Sequence, residues 1–374
     1  MKIILFFTYG ISLLSWKNTG LLNREIKFYE ELYNKYNVSA IFVTFGDSKD
    51  LTILKNKEFI EVVPLYSLVK YDTNKYIRFL RSLFCYKKLS SIIKEADVMK
   101  TNQLLGSWIG IFSKIKYKKP LIVRTGYDLL TFSKKNKKMY YKVFFYKKIT
   151  KLAMKFSDIY LISSKIDKDF LSKLYPKYKN KLKVRSNWVE IVENKEFDFR
   201  HSNKIISVGR LEKQKNYEFL IKKLENFTFD IDIYGDGSEK DKLLRLSNNK
   251  NVKLNIYNPI SNENLLKELA YYKVFVSSST FEGNPKAILE AMASGCVVVA
   301  KNSPNVSEII QNNVNGILYD DKDNLNELIE KILNNKNEWI RISNNSIKTI
   351  RENNLLDKIV EEEYSDLKNL DYSQ

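Results

Sequence analysis

Short runs of apolar and β-branched residues alternate with longer stretches of helical periodicity along most of this chain. Runs of about four to eight such residues, bounded by turn-forming residues, are typical of buried strands. The alternation predicts β-α-β units around parallel sheets, an α/β fold class. In the first half the predicted strands are Ile3–Thr8, Ala40–Thr44, Ile60–Val63, Asp97–Thr101, Leu121–Arg124 and Ile159–Ser163. In the second half they are Lys204–Val208, Phe229–Tyr234, Val252–Ile256, Val274–Ser277 and Val297–Ala300.

These two comparable sets of strands predict two Rossmann-like domains, and 374 residues are enough to give each domain its own core. The passage Val189–Asn203 between them is charged, irregular and without periodicity, as expected of a linker. We therefore predict an N-terminal domain over residues 1–189, a linker over 190–203 and a C-terminal domain over 204–344. Residues 345–374 are predicted as a polar helical tail.

One helix start in the second half has the residues of an anion-binding site. Asn284 is a good N-cap residue, and Pro285 suits the first helical position because its missing N–H would have had no partner there. The backbone amides of Lys286 and Ala287 would then point out of the helix end, which favours a bound phosphate.

Two carboxylates flank this helix start. Glu282 precedes it, and Glu290 follows about a turn and a half into the helix, about 7–8 Å along the axis. A carboxylate does not bind phosphate but accepts hydrogen bonds from sugar hydroxyls, so the pair indicates a nucleotide-sugar. The alternative is an ordinary amphipathic helix with two solvated glutamates.

A second motif, Gly209-Arg210-Leu211-Glu212-Lys213-Gln214-Lys215, directly follows a predicted strand. Gly209 permits a tight turn at the carboxyl end of the strand, where open parallel sheets bind ligands. Arg210 offers a planar fork of donors and Lys215 a mobile charge, and the two suit a diphosphate. The alternative is a basic strand-to-helix loop without a ligand.

The two motifs together resemble those of the family 4 retaining glycosyltransferases, also called glycosyl transferases group 1. The resemblance covers residues 184–319 well and implies the GT-B fold, two Rossmann-like domains with parallel sheets facing an interdomain cleft and a tail that crosses back to the first domain. It implies that Arg210 and Lys215 hold the donor diphosphate. It further implies that Glu282 contacts the transferred sugar and that Glu290 contacts the ribose.

The N-terminal half matches this family only in outline. The family commonly has a glycine pair in its first strand-to-helix loop, and here the segment Asn18-Thr19-Gly20 offers one glycine, Gly20, for the donor phosphate. Many relatives place a histidine near the donor sugar, but the one histidine here, His201, lies in the linker and is interpreted as structural. Asp128 is the candidate to accept the acceptor hydroxyl's hydrogen bond, and its alternative is a plain turn.

Positive charge is concentrated in the first half. Residues 1–190 contain 38 Lys and Arg against 15 Asp and Glu, whereas the whole chain contains 63 against 44. Such asymmetry indicates a nucleic acid, an anionic membrane surface or an acidic substrate, unless it reflects a general richness in lysine.

The lysine-rich stretch Lys134–Phe156 also has an apolar stripe at helical spacing, formed by Phe145, Ile149, Leu152 and Phe156. Two interpretations stay open, a helix lying on an anionic membrane and a core-packing helix with a solvated lysine face.

Two distant cysteines and a single histidine cannot build a metal site or a disulfide framework, and a reducing cytoplasm is expected. No run of about eighteen apolar residues suggests a membrane span. We expect neither a cofactor nor a bound metal.

The resemblance implies a retaining, metal-independent glycosyltransferase, and the basic first half points to surface polysaccharide or lipopolysaccharide synthesis. Its donor would be a nucleotide-sugar, UDP- or GDP-linked, and its acceptor a saccharide or a lipid-linked saccharide. We expect it in the cytoplasm, in part on the inner face of the cell membrane, without a nucleic-acid partner. Two alternatives are a nucleic-acid-binding protein that uses the basic half, and a GT-B scaffold that binds a nucleotide-sugar without transferring it.

Overall fold

A computed structural model describes residues 1–126 and 140–370 of the chain, with the side chain of residue 140 left out. The molecule divides into two compact units. The first comprises Met1–Arg185 with Ile359–Gln374, and the second comprises Ser186–Lys358.

The first unit is built on a seven-stranded parallel sheet with the strand order β3-β2-β1-β4-β5-β6-β7. The central strands are buried on both faces, which explains their continuous apolar runs. The strands are β1 (Lys2–Phe6), β2 (Ser39–Thr44), β3 (Ile60–Pro64), β4 (Val98–Thr101), β5 (Leu121–Thr125), β6 (Ile159–Ile162) and β7 (Leu182–Val184). The helices that belong to it are α1 (Leu13–Asn18), α2 (Leu22–Tyr36), α3 (Leu65–Leu68), α4 (Lys75–Phe84), α5 (Ser90–Glu95), α6 (Ser107–Tyr117), α7 (Tyr140–Phe156) and α8 (Lys165–Leu174).

The second unit has a six-stranded parallel sheet in the order β10-β9-β8-β11-β12-β13. Its strands are β8 (Lys204–Val208), β9 (Asp230–Tyr234), β10 (Leu254–Tyr257), β11 (Val274–Ser277), β12 (Val297–Lys301) and β13 (Ile317–Tyr319). Its helices are α9 (Tyr217–Lys223), α10 (Lys240–Asn249), α11 (Asn262–Leu269), α12 (Lys286–Ala293), α13 (Pro304–Ser307), α14 (Leu325–Asn334) and α15 (Lys336–Asn353). The last helix, α16 (Leu356–Lys368), runs from the second unit into the first. The prediction of an α/β protein with two parallel, Rossmann-like sheets is confirmed.

Two short strands were missing from the sequence prediction, β7 and β13. Each has three residues and lies at one end of its sheet. A strand this short produces an apolar run that is hard to distinguish from a turn, and its pairing with a neighbour is what defines it.

The first strand-to-helix loop also differs from the prediction. Helix α1 begins directly after Ser12, whose hydroxyl accepts a hydrogen bond from the amide of Ser15 at 3.1 Å. The buried carboxylate of Asp50 accepts two further amides of the helix start, those of Leu13 and Leu14. Gly20 therefore follows α1, where its positive φ of 71° ends the helix, and the prediction that it lies in the loop after β1 was wrong.

Helix α7 covers most of the lysine-rich stretch, while residues 134–139 lie outside the described part. The predicted stripe is not the buried face of this helix. Ile149 is buried together with Ala153 and Met154, whereas Phe145 and Leu152 are exposed. Periodicity identified an apolar stripe, but two stripes exist on this helix, and the buried one is the one that contacts the sheet.

A network of charged side chains joins α16 to the first sheet. Lys100 of β4 and Glu363 of α16 are both buried and form an ion pair, and Arg185 donates to Glu362 and Asp366. Burial raises the pKa of Glu363, but the positive charges of Lys100 and Arg185 outweigh this effect, so the pKa lies below its usual range. Glu363 is therefore a carboxylate in the folded protein.

Both cysteines, Cys85 and Cys296, are free thiols in buried positions. Among residues 1–126 and 140–370, none of the helices combines the length and the hydropathy needed to cross a membrane.

Replacing Glu363 by Gln should lower the free energy of unfolding by about 3–5 kcal/mol, because Lys100 would be buried without its counter-charge. The contribution of Glu363 is present above the ordinary glutamate pKa and is lost as the pH falls through its lowered folded pKa. Urea unfolding at a series of pH values should therefore show a shallower loss of stability in acid for the variant than for the unaltered protein. Glu361→Gln, on the exposed side of the same helix, is the matched control and should change stability by less than about 0.5 kcal/mol. Equal unfolding midpoints for the two variants would contradict this assignment.

Candidate functional site

The second sheet reverses its strand order between β8 and β11. From β8 the chain proceeds outward through β9 and β10, and from β11 it proceeds in the other direction through β12 and β13. In open parallel sheets such a reversal leaves a crevice at the carboxyl ends of the two strands, where ligands bind. Residues 209–216 follow β8 and residues 278–285 follow β11, so both predicted motifs lie at this point of the second unit.

The loop after β8 lies so close to the loop after β9 that side chains would not fit between them. A Cβ on Gly235 would lie 2.0 Å from the carbonyl oxygen of Gly209. A Cβ on Gly237 would lie 2.5 Å from the carbonyl oxygen of Leu211. Gly209 itself has φ +157°, and a Cβ there would lie 2.7 Å from Cε of Lys215. Glycines at these positions allow the backbone to turn back under the lysine.

Hydrogen bonds fasten the loop after β8 to the loop after β11. The amide of Thr280 donates to the carbonyl of Gln214 at 3.1 Å, and Nε2 of Gln214 donates to the carbonyl of Phe281 at 2.8 Å. The hydroxyl of Ser278 donates to the carbonyl of Lys215 at 2.8 Å. These bonds fix Lys215 beside Glu282.

Lys215 and Glu282 form an ion pair, in which Oε1 of Glu282 lies 2.6 Å from Nζ of Lys215. Both side chains are largely withdrawn from solvent, with 20% of the lysine and 12% of the glutamate side chain exposed. Arg210 is different, because 70% of its side chain is exposed and its Nη1 lies 3.3 Å from Oε1 of Glu212. The loop thus presents one enclosed ammonium group and one guanidinium group reaching into solvent.

Helix α12 begins one residue later than predicted, at Lys286, with Pro285 as the preceding residue and no side-chain cap. Asn284 does not cap the helix. Its Oδ1 accepts the backbone amide of Asn187 at 3.0 Å, and its carbonyl accepts Nδ2 of Asn187 at 2.9 Å. The capping prediction was wrong because a distant asparagine satisfies the side chain. The amide of Ile288 donates to the carbonyl of Pro285 at 3.1 Å, so the amides of Lys286 and Ala287 belong to the first turn of the helix.

Glu290 lies on the inner side of α12 and is 4% exposed. Its Oε1 accepts Nδ2 of Asn262 at 2.5 Å and lies 3.0 Å from Nζ of Lys286. Glu290 is therefore not a solvated glutamate of an amphipathic helix. Asn262 belongs to α11, and no signal in the sequence linked it to Glu290.

Aromatic rings lie at the carboxyl ends of β9 and β10. Tyr234 and Tyr257 stack with ring centroids 4.9 Å apart and an interplanar angle of 21°. A third phenol, Tyr217, starts α9 beneath the glycine loop, and its hydroxyl lies 3.4 Å from that of Ser207. Burial raises the pKa of Tyr217 above its usual range, so the phenol stays protonated at neutral pH.

The remaining predicted residues belong to the first unit. Gly20 ends α1 there, and its role toward a ligand stays a prediction. Asp128 lies outside the described residues. The nearby Gly126 is described, with its amide donating to Oε1 of Gln103 at 2.8 Å and its carbonyl accepting from the hydroxyl of Ser163 at 2.7 Å.

Sequence comparison finds relatives of part of the chain. A family model described as Glycosyl transferases group 1 matches residues 190–349. An uncharacterized glycosyltransferase of Methanocaldococcus jannaschii is 31% identical over 180 residues, which are 43% of this chain and 44% of that protein. The poly(ribitol-phosphate) alpha-N-acetylglucosaminyltransferase of Staphylococcus aureus is 32% identical over 136 residues, 36% of this chain and 27% of that enzyme. The chain thus spans less than half the length of these curated relatives.

Solved structures resemble the whole chain at low identity. HepE of Anabaena in complex with UDP has a TM-score of 0.76 at 16% identity, and the match covers 99% of this chain and 100% of that chain. A TarM variant of S. aureus, in complex with Fondaparinux, alpha-GlcNAc-glycerol and UDP, has a TM-score of 0.75 at 15% identity and covers 99% of this chain and 100% of its own. Likeness at such identities establishes the fold. The chain has the GT-B fold, and its residues 190–349 match the family model of Glycosyl transferases group 1.

Proposed function

We propose that this protein is a retaining glycosyltransferase that moves a sugar from a nucleotide-diphosphate-sugar to a saccharide or lipid-linked saccharide. The observation that carries the proposal is the enclosed pair of Lys215 and Glu282 at the reversal of the second sheet. It brings together a cation that suits a diphosphate and a carboxylate that suits sugar hydroxyls. Both residues lie within the segment that the family model matches.

The diphosphate would be held by three sources of positive charge. Lys215 and Arg210 come from the loop after β8, and the N-terminal end of α12 contributes the positive end of its dipole at Lys286 and Ala287. When the bond between the anomeric carbon and the diphosphate breaks, its electron pair goes to the leaving phosphate oxygen. Donors fixed in advance around that oxygen stabilise the growing charge. Because they supply the positive charge at the phosphates, we propose that no metal ion is needed.

The other two parts of the donor would meet carboxylates. Glu282 would accept hydrogen bonds from the transferred sugar, and Glu290 from the ribose hydroxyls, while Asn284 keeps the intervening loop in place through Asn187. The acceptor hydroxyl oxygen forms the new bond to the anomeric carbon, and its proton passes to the phosphate oxygen that the sugar leaves. We assign the hydrogen bond that positions this hydroxyl to Asp128.

We propose a donor linked to UDP or GDP. The structure of HepE in complex with UDP-glucose supports UDP as the nucleotide. The acceptor would belong to surface polysaccharide or lipopolysaccharide synthesis. Relatives named for such work include the capsular polysaccharide biosynthesis glycosyltransferase CapH of S. aureus and a diphospho-undecaprenol N-acetylgalactosaminyltransferase of Campylobacter jejuni. A phosphate-bearing lipid acceptor also suits the basic first half and a peripheral position on the inner face of the cell membrane.

The relatives do not favour a nucleic-acid-binding protein. Measured turnover distinguishes an enzyme from a scaffold that binds the donor without transferring its sugar. The decisive experiment is a nucleotide-release and thermal-shift screen against UDP-, GDP-, ADP- and dTDP-sugars, with and without EDTA. A shift with one base and release that survives EDTA is expected. No shift with any donor, together with salt-sensitive binding to polyanions, would overturn the proposal.

Lys215→Ala and Glu282→Ala should each lower kcat by about 10²–10³-fold, because each removes a group that acts on the charge developing in the transition state. Single-turnover nucleotide release is the measurement. Lys213→Ala, two residues before Lys215 in the same loop and exposed, is the matched control and should keep near-normal turnover. Each of the two variants also breaks a partly buried ion pair, so its thermal unfolding must be recorded. Folded variants with unchanged kcat would refute the site.

Glu290→Gln should raise KM for the donor by about tenfold with a smaller effect on kcat, because a charge-assisted hydrogen bond to the ribose is weakened in ground state and transition state alike. Initial rates against donor concentration separate the two constants. Glu263→Gln, an exposed glutamate of α11, is the control. A kcat loss without a change in KM would move Glu290 from donor binding to another role.

A further inference from the structure

Helix α4 of the first unit carries an apolar stripe on its outer side. Tyr76, Leu80 and Phe84 follow one another at intervals of four residues and are 70%, 56% and 58% exposed. The opposite side of the helix packs inward, where Phe79 lies against Trp108 with ring centroids 5.2 Å apart. An apolar stripe at helical spacing normally faces the core, so its exposure on a helix that already has a packed side requires an explanation.

The helices next to α4 also expose apolar side chains. Helix α6 packs against both α4 and α7. The ring of Phe79 reaches that of Phe145 on α7 at 6.4 Å, so α4 and α7 also meet. Helix α6 exposes Phe112 and Ile115, and α7 exposes Phe144. We call the exposed apolar side chains of these three adjoining helices the outer helical face, and they are Tyr76, Leu80, Phe84, Phe112, Ile115 and Phe144.

Charge on these three helices has a single sign. The sequences of α4, α6 and α7 contain lysine and arginine and no aspartate or glutamate. Lysines on or next to these helices lie over the exposed rings. Nζ of Lys75 is 5.1 Å from the centroid of Tyr76, that of Lys87 is 5.4 Å from Phe84, and that of Lys148 is 5.2 Å from Phe144. Each of these ammonium groups therefore lies within cation–π distance of an exposed ring, so positive charge and apolar surface occur side by side.

We infer that the outer helical face docks the protein on an anionic lipid bilayer. Aromatic and aliphatic side chains enter the headgroup boundary, and lysines around them contact anionic headgroups. The aliphatic residues Leu80 and Ile115 decide against single-stranded nucleic acid, because base stacking requires flat rings along a charged groove.

The inference rests on the proposed function in one respect, the reason for docking, which is to hold the enzyme where lipid-linked acceptors are found. Its test therefore needs no substrate. Flotation of the full chain with vesicles of equal parts phosphatidylglycerol and phosphatidylcholine is compared with flotation on phosphatidylcholine alone. We expect partitioning to the anionic vesicles to be stronger by about tenfold or more, since several lysines each contribute near the surface.

Two double variants separate the apolar and the electrostatic parts. Leu80→Ser with Phe84→Ser should reduce partitioning by about tenfold or more, and Lys87→Gln with Lys88→Gln should reduce it on anionic vesicles alone. The matched controls lie on the second unit and should bind as the unaltered protein does. They are Phe199→Ser with Tyr271→Ser, which are exposed aromatic residues, and Lys322→Gln with Lys348→Gln.

Nucleotide release from a soluble donor should be unchanged in Leu80→Ser with Phe84→Ser, which reports that the variant is folded. Vesicle binding by this variant that equals that of the unaltered protein would overturn the inference. So would a result in which the unaltered protein binds no vesicles at physiological salt but binds an oligonucleotide as well as it binds vesicles at low salt. Vesicle binding that depends on the face, in a protein that releases no nucleotide from any donor, would leave the docking face standing and remove the proposed function.

Discussion

In the second unit β8 pairs in parallel with β9 on one side and with β11 on the other, and the chain leaves β8 and β11 in opposite directions. Parallel pairing brings all the carboxyl ends to one edge of the sheet, and the reversal leaves that edge open between these two strands. Residues separated by more than sixty positions in sequence, Lys215 and Glu282, meet there. Glycines at 209 and 235 favour this meeting, because a side chain at 209 would displace Lys215 and one at 235 would collide with the backbone of the loop after β8.

Most of this architecture could be predicted from the sequence, because it depends on strong local patterns. Strands buried on both faces leave long apolar runs, and β8 and β11 were predicted with their observed bounds. The three-residue strands β7 and β13 were missed because their pattern is too short to differ from a turn. Arg210, Lys215 and Glu282 could be selected as candidates from their motifs and their order along the chain. The short distance between the lysine and the glutamate could not be predicted, because it depends on how the two loops fold.

Sequence reasoning failed where a distant side chain outweighs a local preference. Asn284 has the intrinsic preference of an N-cap, but its amide group is satisfied by Asn187, almost a hundred positions away. Gly20 was assigned to the first loop because the capping of α1 by Ser12 and Asp50 was not recognised. For α7, periodicity alone could not decide which of two apolar stripes faces the sheet. In each case the local sequence allowed two answers, and packing chose between them.

The ion pair of Lys215 and Glu282 has a consequence for ligand binding. Each group satisfies the other in an enclosed position, so neither remains buried with an uncompensated charge. Under the proposed function, a diphosphate would bring more negative charge to the ammonium group than one carboxylate does, and it would draw Lys215 away from Glu282. The released carboxylate would then accept hydrogen bonds from the sugar attached to the same diphosphate. Donor binding would thus be an exchange of partners, in which a ligand that carries both a diphosphate and a sugar compensates both groups, whereas inorganic phosphate would leave Glu282 without a hydrogen-bond donor.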